Sequence, residues 1–233
     1  MAKRPIYIPE VDGDVFVRTI PVEFQWYPGM APVQKQRSIV SLHEAALKRG
    51  LCSRALEVSS KSTIALGVQL SAFNLTVTTT RFQRTFTVEA AYQSSKVFEH
   101  GGPYKDLLYG LSKDAKKDPR LRESGHLLYF EFFGQRWELE PRTSFYDWLY
   151  INALHKNEEA VEALREFDAF TDIEFNPERS VNCQAYSVAL YSSLERRGLI
   201  ADAVSGTTRF LDVIRSMPVS SSSEDTERQP RLV

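Results

Sequence analysis

Glu89, Tyr92, Gln93, Lys96 and His100 stand at positions i, i+3, i+4, i+7 and i+11. At about 100° per residue these spacings put an acid, a phenol, an amide and two bases in one narrow helical stripe. Phe86, Ala90 and Val97 flank it on one side, Val88 and Ala91 on the other. A surface helix normally has one wet face and one dry face, so a polar stripe between apolar flanks is unusual. Glu89 and Lys96 lie two turns apart, roughly 10 Å along the axis. That span is too long for a close side-chain pair and suits two groups that grip opposite ends of one ligand. A solvated face carrying a lone Glu and a lone Lys is the competing reading.

Three other stretches carry chemistry-bearing residues. Ser59-Ser60-Lys61-Ser62 follows a short apolar run, Leu56-Glu57-Val58, and puts small hydroxyls around a lysine. Such a segment at a strand end can hold an anion, or can be an ordinary polar turn. Gly101-Gly102-Pro103 ends the striped helix; a helix C-cap explains the first glycine, while the second could let backbone amides approach a ligand. The segment from Thr143 carries Asp147, Trp148, Tyr150 and Asn152, and an aromatic-rich helix more often builds core than lines a site.

The elements that must position these residues follow from pattern. Residues 5–11 and 14–20 alternate around Asp12-Gly13, which predicts a hairpin, and Val22, Phe24 and Trp26 extend the alternation to Pro28-Gly29. Ser41-Leu-His-Glu44 reads as a capping box opening a short helix that Gly50 closes. Thr76–Thr80 and Phe82–Phe86 read as strands, and Tyr104–Leu111 as a short helix. Lys113–Arg120 reads as a solvated charged connector. Strands Leu127–Phe133 and Arg136–Glu140 flank a Gly134-Gln135 turn. Thr143 or Ser144 caps the next helix, Glu158–Phe167 forms another, and residues 170–182 form a loop. Asn182 caps an amphipathic helix that Gly198 ends, and Ala201–Ser216 adds one more. From Met217 the chain is Ser-rich and charged, so a disordered tail is expected.

Composition narrows the function. The chain has 233 residues, 42% hydrophobic and 25% charged, enough for a full core. A net charge of −1 excludes coating nucleic acid by charge alone, though not a local basic groove. Cys52 and Cys183 and the four histidines show no metal-ligand spacing, so neither metal nor disulfide framework is expected. The N-terminus has no apolar run behind its charges, and no segment approaches a membrane span, which makes a cytoplasmic soluble protein the expectation.

Leu70-Ser71-Ala72-Phe73, then Glu89-x-x-Tyr92-Gln93-x-x-Lys96, then Asp147-Trp148, then a late loop leading to Asn182 and a closing helix, resembles the NADAR family over about residues 54–200. Ala72 stands where that family has Asn, with Asn74 nearby as a substitute, and Ala90 stands where it has His. The N-terminal extension, the Ser-Ser-Lys-Ser segment and the form of the Glu89 helix look most like the branch that accompanies DarT-type toxins, which ADP-ribosylate guanine in DNA.

The resemblance implies an α+β, mostly helical single domain with small antiparallel strands: an N-terminal hairpin and helix extension over 1–50 packed on the main domain, a catalytic domain over 51–216, and a tail over 217–233. It implies an N-glycosidase without metal or cofactor that removes ADP-ribose from guanine in DNA, as antitoxin to a DNA ADP-ribosyltransferase toxin. A hydrolase of small N-ribosides and a non-catalytic ADP-ribose-binding module are the alternatives. Glu89 would stabilise the oxocarbenium-like sugar or position water. Lys96 or Lys61 would act as acid or as Schiff-base amine, with Asp147 a second acid–base candidate. Ser59, Ser60 and Lys61 would hold the diphosphate, and Trp148 or Tyr92 would stack on a base. Ser71, Phe73, Asn74, Gln93, Gly102 and Asn182 complete the expected substrate contacts.

Overall fold

The computed structural model describes residues 1–79, 83–177 and 180–218. It is α+β, as expected. Its largest sheet joins the two ends of the pattern. β1 (Ala2–Pro9) pairs antiparallel with β2 (Val17–Phe24), from Ala2 opposite Phe24 to Pro9 opposite Val17. β1 then meets β9 (Ala169–Thr171) through Tyr7 and Phe170, and β9 runs parallel to β3 (Ala55–Glu57). The N-terminal strands therefore share a sheet with strands that bear on the candidate site. One pair in it is parallel, where only antiparallel pairs are expected. The loop after β1 spans 10–16 rather than the two residues Asp12-Gly13, and β2 runs unbroken through Pro21.

Against this sheet packs α1 (Pro32–Lys48), whose Ile39, Leu42 and Ala46 bury against Ile6, Ile8, Val22 and Phe24. Pro32 opens this helix, since its fixed φ suits a first helical position. Ser41 lies inside the helix and is not its cap; its hydroxyl accepts from the Gln25 amide at 3.1 Å. The other core gathers on α6 (Ser144–His155), in which Tyr150, Ile151 and Leu154 are fully buried, and on α8 (Gln184–Arg196), which Gly198 closes at φ +73°. Tyr150 also donates to the Leu70 carbonyl, tying α6 to the segment that precedes the site. α7 (Glu158–Leu164) follows α6, and α9 (Ile200–Ser205) and α10 (Thr207–Arg215) replace the single expected last helix. Among the described residues no helix is long and apolar enough to cross a membrane.

The segment around the stripe differs from expectation. β4 (Thr76–Thr78) and β5 (Thr85–Thr87) form a hairpin, and β5 leads directly into α3 (Val88–Ser94). The expected strands reach Thr80 and Phe82, which lie outside the described residues, as does the expected tail from 219 on. α3 stops at Ser94 instead of reaching His100, because Lys96–Phe98 (β6) pairs antiparallel with β7 (Leu127–Phe132). β8 (Gln135–Trp137) completes that sheet. The β7–β8 turn is Phe133-Gly134, with φ +47° and +82°, not Gly134-Gln135. The expected helix after Gly101-Gly102-Pro103 is a 3-10 turn, Lys105–Tyr109, and the connector holds two short helices, α4 (Ser112–Lys117) and α5 (Arg120–Glu123).

Candidate active site

Glu89 lies in the first turn of α3, where the N-terminal dipole favours an anion. Thr87 caps that turn, accepting from the Ala90 amide at 3.2 Å. The Ser71–Leu75 loop docks on the same end: the Glu89 amide donates to the Ala72 carbonyl at 2.9 Å and Val88 to Leu75 at 3.0 Å. Glu89 is thus buried, with 5% of its surface exposed, yet its carboxylate keeps polar company. Gln93 Nε2 donates to Glu89 Oε1 at 2.9 Å. Since a carboxylate needs a donor, this bond fixes the Gln93 amide with its oxygen turned away. Gln93 Oε1 is buried and has no hydrogen-bond partner among the described residues. An unmet buried acceptor costs about 1–3 kcal/mol, so a site that supplies a donor gains accordingly.

Lys96 enters from β6 rather than from the helix, and still faces the same place. Its ammonium sits 4.9 Å from the centroid of the Tyr92 ring. Burial pulls the Lys96 pKa down to about 8; Glu89 opposes that shift and Lys116 adds to it. An amine poised near neutral pH can give or take a proton at little cost. Tyr92 is wedged between Phe130, at 5.3 Å, and Tyr146, at 5.3 Å edge-on, and its hydroxyl accepts from Asn182 Nδ2 at 2.6 Å. Asn182 is therefore a Tyr92 partner and not the α8 cap, a position that Cys183 occupies in an extended conformation. Gly102 lies directly under Lys96: at φ +91°, a Cβ there would come within 2.2 Å of the Lys96 carbonyl oxygen. Only glycine lets the chain close on Lys96 so tightly.

Lys116 joins this group from α4, a stretch that reads as solvated connector. Its ammonium is 3.7 Å from Glu89 Oε1 and 5.0 Å from the centroid of Phe73. With its side chain 55% exposed, the attraction is close to the aqueous value, about 1 kcal/mol. Lys116 is thus held only weakly to Glu89.

A second buried polar group lies where β3 and β9 end side by side. Glu57 accepts from Ser59 Oγ at 2.6 Å, Thr171 Oγ1 at 2.6 Å and the Ile173 amide at 2.8 Å. His43 Nε2, 2.8 Å from Thr171 Oγ1, closes the chain from α1, and burial lowers its pKa to about 4, which leaves it neutral. Ser59 Oγ in turn accepts from the Lys61 amide at 3.2 Å. Gly67, in α2 (Ala65–Gln69), packs on the same turn, and a Cβ there would lie 1.9 Å from the Glu57 carbonyl oxygen. Burial, and then the Asp172 carboxylate, push the Glu57 carboxyl well above its usual range. Asp172, raised by its own burial, accepts from the Glu174 and Phe175 amides and from Gln184 Nε2 at 3.0 Å. Gln184 Oε1 accepts from the Ala72 amide at 2.8 Å. Asp172, Gln184 and the Ala72 peptide thus connect this group to the helix turn that carries Glu89.

The expected site residues divide accordingly. Glu89, Tyr92, Gln93, Lys96, Gly102, Phe73 and Asn182 converge, and Ser71 belongs to the loop that docks on them. Ser59 and the Lys61 backbone belong to the Glu57 group; Ser60 is exposed and Lys61 half-buried. The Lys61 side chain makes no ion pair among the described residues. The Asn74 amide closes its own loop on the Val68 carbonyl at 2.8 Å. Asp147 stands apart: Thr143 and Ser187 donate to its two oxygens at 2.7 and 2.6 Å, and burial pushes its pKa up to about 6. Trp148 packs on Trp137 at 5.1 Å and on Phe132 within the core. His100 is exposed. Lys116, Glu57, Asp172 and Gln184 are not among the site residues that the sequence reading expects. Only Glu57, a carboxylate inside Leu56-Glu57-Val58 and followed by Ser59, leaves a trace there.

A family model described as the DarT1-associated NADAR antitoxin matches residues 2–224. No curated protein matches the chain.

Proposed function

The chain belongs to the DarT1-associated NADAR antitoxin family, and from that premise we propose that it hydrolyses the bond joining ADP-ribose to guanine in DNA. The observation that carries this reading is the buried Glu89 carboxylate, with the half-buried Lys96 amine close enough to feel its charge and a Gln93 oxygen that has no partner among the described residues. Breaking the bond between C1″ and the guanine amine nitrogen builds positive charge on the sugar. The Glu89 carboxylate, held between α3's N-terminus and Gln93, stabilises that charge and orients the attacking water. Lys96 gives its proton to the departing nitrogen. The water's hydroxyl ends on C1″, its other proton returns to Lys96, and both fragments leave uncharged at the cleaved bond. Gln93 Oε1 takes a sugar hydroxyl. Tyr92 supplies the floor under the Lys96 amine. Lys116 and Lys61, with Ser60, receive the diphosphate, while Ser59 stays committed to Glu57 and holds the Lys61 loop. When Lys116 moves from Glu89 to a phosphate, the carboxylate is left to the sugar.

The test is an oligonucleotide carrying ADP-ribosylated guanine, followed by mass spectrometry. Release of free ADP-ribose together with an intact guanine oligonucleotide is expected. Turnover of a small aminopyrimidine riboside phosphate with none of the modified DNA would replace this reading by the small-riboside one. Binding of ADP-ribose with turnover of neither substrate would leave a binding module.

A further inference from the structure

Tyr109 and Phe133 are 46% and 65% exposed, yet both pack on one buried ring. Phe86 lies 6.3 Å from Tyr109, 6.1 Å from Phe133 and 5.9 Å from Phe132, ring centre to ring centre. Arg84 sets its guanidinium 5.2 Å from the Tyr109 centroid and makes no ion pair among the described residues. The 3-10 turn, the β7–β8 turn and the residue before β5 thus set two exposed rings and a guanidinium around Phe86. Phe133 breaks the rule of its own turn. Both turn residues have positive φ, and the first position of such a turn favours Asn, Asp or Gly. A bulky side chain held there is strained, and most of it faces water, with only its inner side against Phe132 and Phe86. A local rule broken for so partial a burial points to a role outside the fold.

We propose that Tyr109, Phe133 and Arg84 form a platform on which unpaired bases of single-stranded DNA stack, beside the Glu89 site. The proposal rests on the hydrolase reading above for its substrate. Its chemistry is independent: exposed aromatic faces and a guanidinium take any base in a strand whose bases are not already paired. β5 carries Phe86 into α3, so the ring on which Tyr109 and Phe133 pack lies three residues along the chain from Glu89. Size decides against a protein partner here. Two partly exposed rings and one cation offer a few hundred Å² at most, against about 800 Å² per partner in a stable protein interface. That area fits one or two bases.

The test measures fluorescence anisotropy of a labelled, unmodified oligothymidylate of about 12 nucleotides with the full chain. Phe133→Leu and Tyr109→Leu keep the apolar packing and remove the stacking face. Each should weaken binding roughly tenfold or more, and Arg84→Ala should reduce the salt dependence by about one phosphate's worth. Hydrolysis of an ADP-ribosylated guanosine without flanking nucleotides should be unchanged in all three. Wild-type protein that does not bind the strand, or leucine variants that bind it as well as wild type, would overturn the platform. Variants that keep strand binding and lose association with a DNA ADP-ribosyltransferase would overturn it too, making the face a protein dock. Because the strand carries no scissile bond, the result stands apart from whether the protein is a hydrolase.

Discussion

Replacing Glu57 separates hydrogen bonding from charge in the buried group that holds the Ser59–Lys61 loop. In Glu57→Ala the Ile173 amide loses its acceptor and cannot turn elsewhere, while the Ser59 and Thr171 hydroxyls can rotate, Thr171 towards His43. One stranded buried donor at about 1–3 kcal/mol, plus the void left by the side chain, gives a loss of about 3–5 kcal/mol. Glu57→Gln has a different outcome. Its oxygen keeps Ser59 and Ile173, and its amide donates to Thr171, which then donates to the neutral His43. The sign with pH follows from the raised carboxyl. A group whose folded pKa lies above its unfolded value contributes stability in acid, and loses it as pH rises through the folded value. Wild type therefore loses stability between about pH 5 and about pH 9, and Glu57→Gln loses less. Urea unfolding at both pH values reads this directly. Glu57→Gln should match wild type at the lower pH and equal or exceed it at the higher, with Glu57→Ala well below at both. A glutamine variant as unstable as the alanine one at both pH values would refute the network and the raised carboxyl together.

Lys116→Met removes a positive charge that lowers the Lys96 pKa, so Lys96 should hold its proton to higher pH. The alkaline limb of kcat/KM, expected near the Lys96 value of about 8, should move upward; a limb that stays or moves down would contradict the arrangement. Asp147→Asn should fold normally and keep turnover within about threefold, because Thr143 and Ser187 already occupy both oxygens. Asp147 is raised to about 6, so its stability contribution is present in acid and lost as pH rises through that value. The asparagine variant should therefore gain on wild type in thermal unfolding above pH 6. A loss of turnover above about a hundredfold would instead return Asp147 to the chemistry.

Order along the chain made much of the site legible. Glu-x-x-Tyr-Gln-x-x-Lys places four converging residues, and the Leu-Ser-Ala-Phe block places the loop that docks on Glu89. The secondary structure around them was less so. Lys96 reads as helical because three-and-four spacing cannot show that Phe98 and Val97 will pair with β7 and end the helix early. Lys116 sits in a run of charges that local pattern cannot distinguish from solvated surface; only the fold brings α4 to Glu89. β9 is three residues long, fully buried and without alternation, and nothing within it announces the parallel partner that sets Glu57 beside Thr171. Asp172 and Gln184 act through backbone amides, and a contact of that kind leaves no residue pattern. Phe133 shows the converse: the turn rules place Gly first, and the structure puts a phenylalanine there.

The most direct measurement is single-turnover release of ADP-ribose from a guanine-modified oligonucleotide by Glu89→Gln and by wild-type protein, with folding checked by urea unfolding. Loss of the carboxylate should slow release by at least about a thousandfold while binding of free ADP-ribose and the unfolding midpoint stay close to wild type. Release by the glutamine variant at the wild-type rate would contradict the role given to Glu89 and the mechanism built on it.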